Sequence, residues 1–218
     1  MFVLLIISTR PKLLAALLSL CICLLIEGCT SPLPRQAELL REGRSCCSDI
    51  SQLPISGTLF ETSVSADLTD NTPIFDFSEG RSHFVAFAIP KEREGRRLEL
   101  RTWHKGNSIR DEQIFCPVIT ALDARKHPIG RVDLPAMEFT RAGLIDNARF
   151  STVVDLPSGA EYIVVHTPAE SIGSSLSTSV NRQSSVIVIG TNVYVQPGGA
   201  KTLSIRCGQQ GRLSFLWL

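Results

Sequence analysis

Short apolar or alternating runs, broken by Pro, Gly and Asn, fill the chain from residue 55 to its end. Residues 55–66 (ISGTLFETSVSA), 83–89 (HFVAFAI), 98–104 (LELRTWH) and 114–122 (IFCPVITAL) have the length and the β-branched and aromatic content of strands. Residues 150–155, 161–166 (EYIVVH), 186–195 (VIVIGTNVYV), 202–206 and 212–218 continue the series. Nothing between them carries a long helical period, so the pattern predicts an all-β fold, an antiparallel β-sandwich. Residues 91–97 (KEREGRR) read as a charged hairpin loop, and 122–131 as a strand, a polar turn and another strand. Residues 125–149 are mixed, and the Ser-rich stretch 168–182 reads as a loop with one helical turn. With no clear linker, residues 45–218 are expected to form one β domain; two packed subdomains dividing near 125–150 are the alternative.

The N-terminus follows a different pattern. Arg10 and Lys12 precede an apolar run over residues 13–26, too short to cross a bilayer comfortably as a helix. It predicts a cleaved signal peptide over residues 1–28, ending in Ile26, Glu27, Gly28 and Cys29. That ending resembles a bacterial lipobox, with Glu27 departing from the usual small or apolar residue. Cys29 is therefore expected to carry lipid, and acyl chains contributing about 0.8 kcal/mol per buried methylene would hold the protein on a membrane without a polybasic patch. Thr30 follows the cysteine where inner-membrane lipoproteins often have Asp, so a periplasmic position on the outer membrane of a Gram-negative bacterium is expected. Residues 29–44, with Pro32 and Pro34, read as a tether in which 35–44 could form a short helix.

Cleavage changes the charge balance. Losing Arg10, Lys12 and Glu27 leaves 20 basic and 20 acidic side chains, and a neutral chain without a basic run offers no counterion-release term, which excludes nucleic acid as an expected partner. It also sorts the seven cysteines: Cys21 and Cys23 leave with the signal, and Cys29 takes lipid. Cys46, Cys47, Cys116 and Cys207 remain as disulfide candidates in an oxidising compartment. A bridge between the neighbours Cys46 and Cys47 would be strained, because consecutive Cα atoms lie about 3.8 Å apart. Bridges to Cys116 or Cys207 are sterically ordinary. No Cys-x-x-Cys or clustered His suggests a metal.

Catalytic patterns are absent. His83, His104, His127 and His166 are scattered, and there is no His-Glu-x-x-His, no Gly-x-Ser-x-Gly and no phosphate-cradling loop. Glu61, Asp67, Asp70, Asp76 and Glu79 are numerous enough for a glycosidase pair, yet turn capping or solvation explains each. No enzyme activity and no cofactor is expected. For sugar binding, the cluster that combines a flat aromatic with hydrogen-bonding groups is Trp103, His104, Lys105 and Asn107 at a strand end. Trp217, near the C-terminus, reads as a core residue of a terminal strand.

The order of the runs is itself informative. Residues 45–54 (SCCSDISQLP), 73–90 (PIFDFSEGRSHFVAFAIP), 115–123 (FCPVITALD) and 161–173 (EYIVVHTPAESIG) resemble the maltose operon periplasmic protein (MalM) family. The double Cys, followed by Phe-Asp-Phe and a Gly-Arg-Ser turn, is the most specific part. The resemblance implies an envelope protein accessory to carbohydrate transport, acting on a maltodextrin-like glycan or a transport component, with no catalytic activity and no agreed binding residues. The opposing expectation is a structural or protein-interaction lipoprotein of the outer membrane with no sugar ligand. The lipobox and the additional Cys116 and Cys207 depart from the family pattern.

Overall fold

The structure is a computed structural model, and it describes residues 32–60, 63–91, 97–105, 113–132, 134, 137–140, 148–182, 185–189, 192–196 and 198–218. The signal segment, Cys29, Asn107 and positions 92–96 of the charged loop lie outside these residues. What is described is an all-β protein with one α-helix. In a six-stranded sheet, β4 (Gly80–Ala88) pairs on one edge with β11 (Tyr162–His166) and on the other with β1 (Gly57–Thr58) and β3 (Ile74–Phe77). Beyond β11 come β7 (Val118–Leu122) and β8 (Pro128–Val132). The other sheet has eight strands, centred on β5 (Arg97–Lys105), flanked by β10 (Arg149–Asp155) and β16 (Gly211–Trp217). It is completed by β2 (Val64–Leu68), β6 (Gln113–Phe115), β9 (Glu138–Thr140), β12 (Ser175–Arg182) and β15 (Gly199–Gly208). A separate ribbon joins β13 (Ser185–Ile189) to β14 (Asn192–Gln196). Pairing is antiparallel except for β1 with β4 and β6 with β15.

The core forms where the two sheets face each other. Val85 and Phe87 of β4, Ile119 of β7, and Ile163 and Val165 of β11 meet Leu98 and Leu100 of β5, Val154 of β10, and Leu213, Phe215 and Trp217 of β16. These positions alternate along their strands, as the period of two requires. The Trp217 indole N–H donates to the Leu59 carbonyl at 3.1 Å, fastening the last strand to the loop after β1.

β4 departs from alternation. Residues 82–87 are all buried, because its second face is covered as well. Phe84 and Ala86 on that outer face pack with Val164, Leu122, Phe75, Phe77 and Leu53. The cover comes from the segment leading out of helix α1 (Pro32–Glu42), through Cys47, Ile50, Leu53 and Ile55, beside the Phe75 and Phe77 side chains of the neighbouring strand β3; the short helix expected over 35–44 spans Pro32–Glu42. The prolines are tolerated because they sit in the first helical turn, whose N–H groups have no intrahelical partner. Leu40 is 5 % exposed and Gln36 9 %, one turn apart on a single buried face. Arg81 holds the helix end in place, donating to both Asp76 carboxylate oxygens at 2.6 and 3.0 Å and to the carbonyls of Arg41 and Gly43 at 2.9 and 3.0 Å. At Gly43 a Cβ would lie 2.2 Å from the Ile74 Cδ1 methyl, so any larger residue would oblige that buried side chain to shift.

Several strand expectations are refined. The run 114–122 divides into β6 and β7 around Cys116 and Pro117, since proline cannot donate to a ladder. The run 186–195 is a hairpin, and the Ser-rich 168–182 contains a 3₁₀ turn (Ala169–Ser171) followed by β12. β12 forms despite weak propensity because all eight of its residues pair with β15.

Among the disulfide candidates, Cys116 and Cys207 are bonded, 91 residues apart in sequence, and Cys46 and Cys47 are free thiols. A bridge from the double Cys to Cys116 does not form, because Cys46 and Cys47 belong to the segment covering the six-stranded sheet. Cys116 instead follows β6, which lies in parallel register beside Cys207 on β15. We predict that the double substitution Cys116→Ser, Cys207→Ser lowers the unfolding free energy by about 4–5 kcal/mol through the released loop, whereas Cys46→Ser changes it by about 0.5 kcal/mol or less. Urea titration of the oxidised protein checks both.

Candidate functional site

On the outer face of the six-stranded sheet a cleft of about 450 Å³ opens between the β3–β4 turn, the end of β8 and residues 48–50. Its walls carry Phe75 and Phe77, the hydroxyls of Ser48, Ser78 and Thr120, the carboxylates Asp49, Asp76 and Glu79, and Arg131. Register explains the convergence. Thr120 of β7 stands opposite Val164 of β11 and Arg131 of β8, so the row of outward positions on the sheet forms the floor. The wall is the β3–β4 turn, whose geometry depends on Gly80. With φ at +109° and a would-be Cβ only 2.6 Å from Ala169 Cβ, this position excludes other residues.

Each cleft carboxylate is held by a fixed donor. Arg131 Nη1 reaches Glu79 Oε1 at 2.5 Å, and the Ser78 hydroxyl donates to Glu79 Oε2 at 2.9 Å. Burial raises the Glu79 pKa, but Ser78, the backbone N–H and the charges of His166 and Arg131 together bring it below the ordinary value. The Arg81 guanidinium does the same for Asp76, and the hydroxyl and N–H of Ser51 for Asp49. All three therefore present ionised oxygens at neutral pH, able to accept hydrogen bonds, beside a guanidinium able to donate them.

His166 lies behind this wall. It ends β11 on the same outer face, opposite Phe84 and Val118. Its ring stacks on Phe77, with centroids 3.7 Å apart and planes 4° from parallel. It is 1 % exposed, and neither ring nitrogen has a hydrogen-bond partner among the described residues. Nε2 stands 3.9 Å from Glu79 Oε2. Burial, the largest influence, pushes the imidazole down to about 4; Glu79 opposes this and Arg131 adds to it. The ring is thus neutral at physiological pH.

The sugar-site residues expected from sequence lie elsewhere. Trp103 is half-buried in β5. Leu98, Leu100 and Thr102 of that strand face the core, so Glu99, Arg101 and Trp103 fall on the opposite, outer face of the eight-stranded sheet. There Trp103 is flanked across the ladder by Arg149 and Arg212. Arg101 pairs with Glu99 through two contacts of 2.8 and 2.7 Å, and Arg212 Nε lies 3.1 Å from Asp67. The His104 and Lys105 backbones continue β5, while their side chains and Asn107 are outside the description. Trp103 does not line the cleft.

Asp76 and Glu79 were weighed from sequence only among five carboxylates numerous enough for a glycosidase pair and set aside for turn capping or solvation, and His166 drew no functional reading. One signal was present: His166 closes EYIVVH at the same period-two position as Tyr162 and Val164, a titratable group in an apolar row. Arg131, 52 residues from Glu79, carried none. Cys46 borders the cleft segment as a thiol that burial, aided by Cys47, pushes up to about 12, so it stays protonated.

The family comparison completes this description. The model of the maltose operon periplasmic protein precursor family matches residues 79–195, more than half of the chain. The protein belongs to the MalM family. The match runs from Glu79 through Trp103, Arg131 and His166 to the second strand of the β13–β14 ribbon, so it includes Glu79, Thr120 and Arg131 of the cleft but not the cleft residues 48–50 and 75–78. A MalM protein is a periplasmic, maltose-operon-associated protein. No curated protein and no solved structure matches the chain. Among the described residues no helix is long and apolar enough to cross a membrane.

The neutral His166 sets a pH dependence. Unfolded, the imidazole binds a proton near pH 6.5; folded, it does so only near pH 4. Between these values the unfolded chain holds more protons, so stability falls as pH drops through the window, by about 3 kcal/mol in all. Urea titrations of wild type and His166→Phe between pH 7 and 4 should show this segment of the pH dependence only in wild type. The contribution of Glu79 runs the same way but lies below its ordinary 4.5.

Proposed function

We propose that this MalM protein is a non-catalytic accessory factor of carbohydrate uptake that binds a maltodextrin-like glycan, held on the outer membrane through lipid on Cys29. The observation that carries the reading is Trp103, a half-buried indole on the outer face of the eight-stranded sheet between Arg149 and Arg212. A pyranose presents an apolar C–H face and a rim of hydroxyls. The indole takes the first by dispersion and the flanking guanidinium and carboxylate groups take the second. An open sheet face, unlike a closed pocket, accommodates a chain of sugar units.

The non-catalytic reading draws support, for glycoside hydrolysis in the described cleft, from charge. Glycoside hydrolysis requires one carboxyl that holds its proton near neutral pH. Asp49, Asp76 and Glu79, which share the described cleft, are all shifted the other way.

A second reading, a protein-interaction lipoprotein without a sugar ligand, draws support from the β13–β14 ribbon. Val186 pairs with Val195 and Val188 with Val193, in a hairpin that forms a sheet of its own. Calorimetric titration of the oxidised protein with maltoheptaose separates the two. Saturable micromolar binding that weakens about tenfold or more in Trp103→Ala, with circular dichroism unchanged, supports the glycan reading. Silence from a folded sample favours the interaction reading.

A further inference from the structure

We propose that the cleft bounded by Glu79, Thr120 and Arg131 is a second binding site, for a small neutral polyhydroxylated ligand of one or two sugar rings, separate from the Trp103 face and independent of it. The two surfaces are on different sheets, and no residue is common to them.

Size comes first. A volume of about 450 Å³ sits toward the small end of the range for small-molecule sites, roughly 300–1,000 Å³. It is too small for a long chain. The charge arrangement selects a neutral guest. Glu79 is balanced by Arg131 and Asp76 by Arg81, so a bound cation would compete with an existing partner there, while Asp49, held by Ser51, adds a carboxylate that repels an anion. A hydroxyl group, by contrast, can donate to a carboxylate lone pair left over from the ion pair and accept from a guanidinium, disturbing neither. Fixed donor–acceptor pairs of this kind, set against the edges of Phe75 and Phe77, match the alternation of hydroxyls and C–H groups on a sugar ring.

His166 supplies the independent observation. Buried polar groups in native proteins nearly always have hydrogen-bond partners, and one that lacks them calls for an explanation. Here a ring 1 % exposed, with both nitrogens unpartnered among the described residues, stands 3.9 Å from the same Glu79 carboxylate that faces the cleft. Stacking on Phe77 accounts for a flat ring at this position but leaves its two nitrogens without partners among the described residues. Its use is as a positioning residue. When a ligand hydroxyl engages Glu79, the carboxylate can turn toward Nε2–H, and the neutral imidazole keeps it oriented without adding charge. The protein groups with charge facing the ring are Glu79 and Arg131.

The test uses maltose as the probe and the full-length protein. Titration calorimetry of the Trp103→Ala protein, in which the sheet face no longer contributes, should show saturable binding, weakened about tenfold or more when Glu79→Gln is added, by loss of a charge-assisted acceptor, and abolished when Thr120→Phe is added, whose ring fills the floor. The His166 imidazole NMR resonances should move on saturation, which a merely structural histidine would not show. Absence of saturable maltose binding by folded wild type overturns the proposal. So does binding that Glu79→Gln and Thr120→Phe leave intact, an unmoved His166 signal, or tighter binding of glucose 6-phosphate than of glucose. Loss of maltoheptaose binding in Trp103→Ala with maltose binding retained would keep the two sites distinct.

Discussion

The burial of β4 on both faces is the constraint on which the rest of the molecule depends. A strand with six consecutive buried residues cannot stand at the surface of a two-layer sandwich, because each large apolar side chain left in water forfeits about 1.5–3 kcal/mol. One face is satisfied by the opposing sheet. The other requires a further cover, which this chain supplies from the residues around Leu53 that follow helix α1, packed beside Phe75 and Phe77 of the same sheet. Arg81 is the joint, since one guanidinium satisfies both Asp76 oxygens and two carbonyls at the end of the helix. The residues before the sandwich are therefore part of its core rather than a leash to it.

That cover also creates the cleft. It covers β4 and the near part of β11 but stops short of β8, leaving a gap above Thr120 with the β3–β4 turn as its wall. A gap of this origin has an apolar interior side, Phe75 and Phe77, and a polar rim, and the low-dielectric floor strengthens the hydrogen bonds made at that rim. Burial of His166 follows from the same cover, because Phe77 lies flat over its ring. The shifted protonation of His166 and the ionised state of Glu79 are both consequences of how the cover ends.

Much of the β architecture was legible. HFVAFAI, LELRTWH and EYIVVH became β4, β5 and β11 close to their expected bounds, because β-branched and aromatic runs between turn residues have few alternatives as structure. The family likeness was legible too, in HFVAFAIP, FCPVITALD and EYIVVHTPAESIG, which fall within the matched residues 79–195, whereas the double Cys and Phe-Asp-Phe precede them. The helix was half seen, as a short element within a tether, since its amphipathic face is only Gln36 and Leu40. β12 was missed, because serines pair in a ladder only when a neighbouring strand offers the partner. The Cys116–Cys207 bridge stayed open among three pairings, as the choice depends on which strands lie side by side. Of the candidate site, Asp76 and Glu79 could be named but not joined to Arg131 and His166.

What the sequence determined by itself was whatever depends on neighbours along the chain: strand-forming runs, turn positions, charge balance and the family pattern. These follow from periodicity and composition, which short-range sterics and hydrophobicity translate directly into local structure. Only the tertiary structure decided which face of β4 needed a cover, that the chain before the sandwich supplies it, and that Glu79, Arg131 and His166 meet while Trp103 stands on the other sheet. Those outcomes are set by long-range register and by burial. The partners lie many residues apart, and the dielectric that fixes the protonation of His166 exists only once the layers have packed.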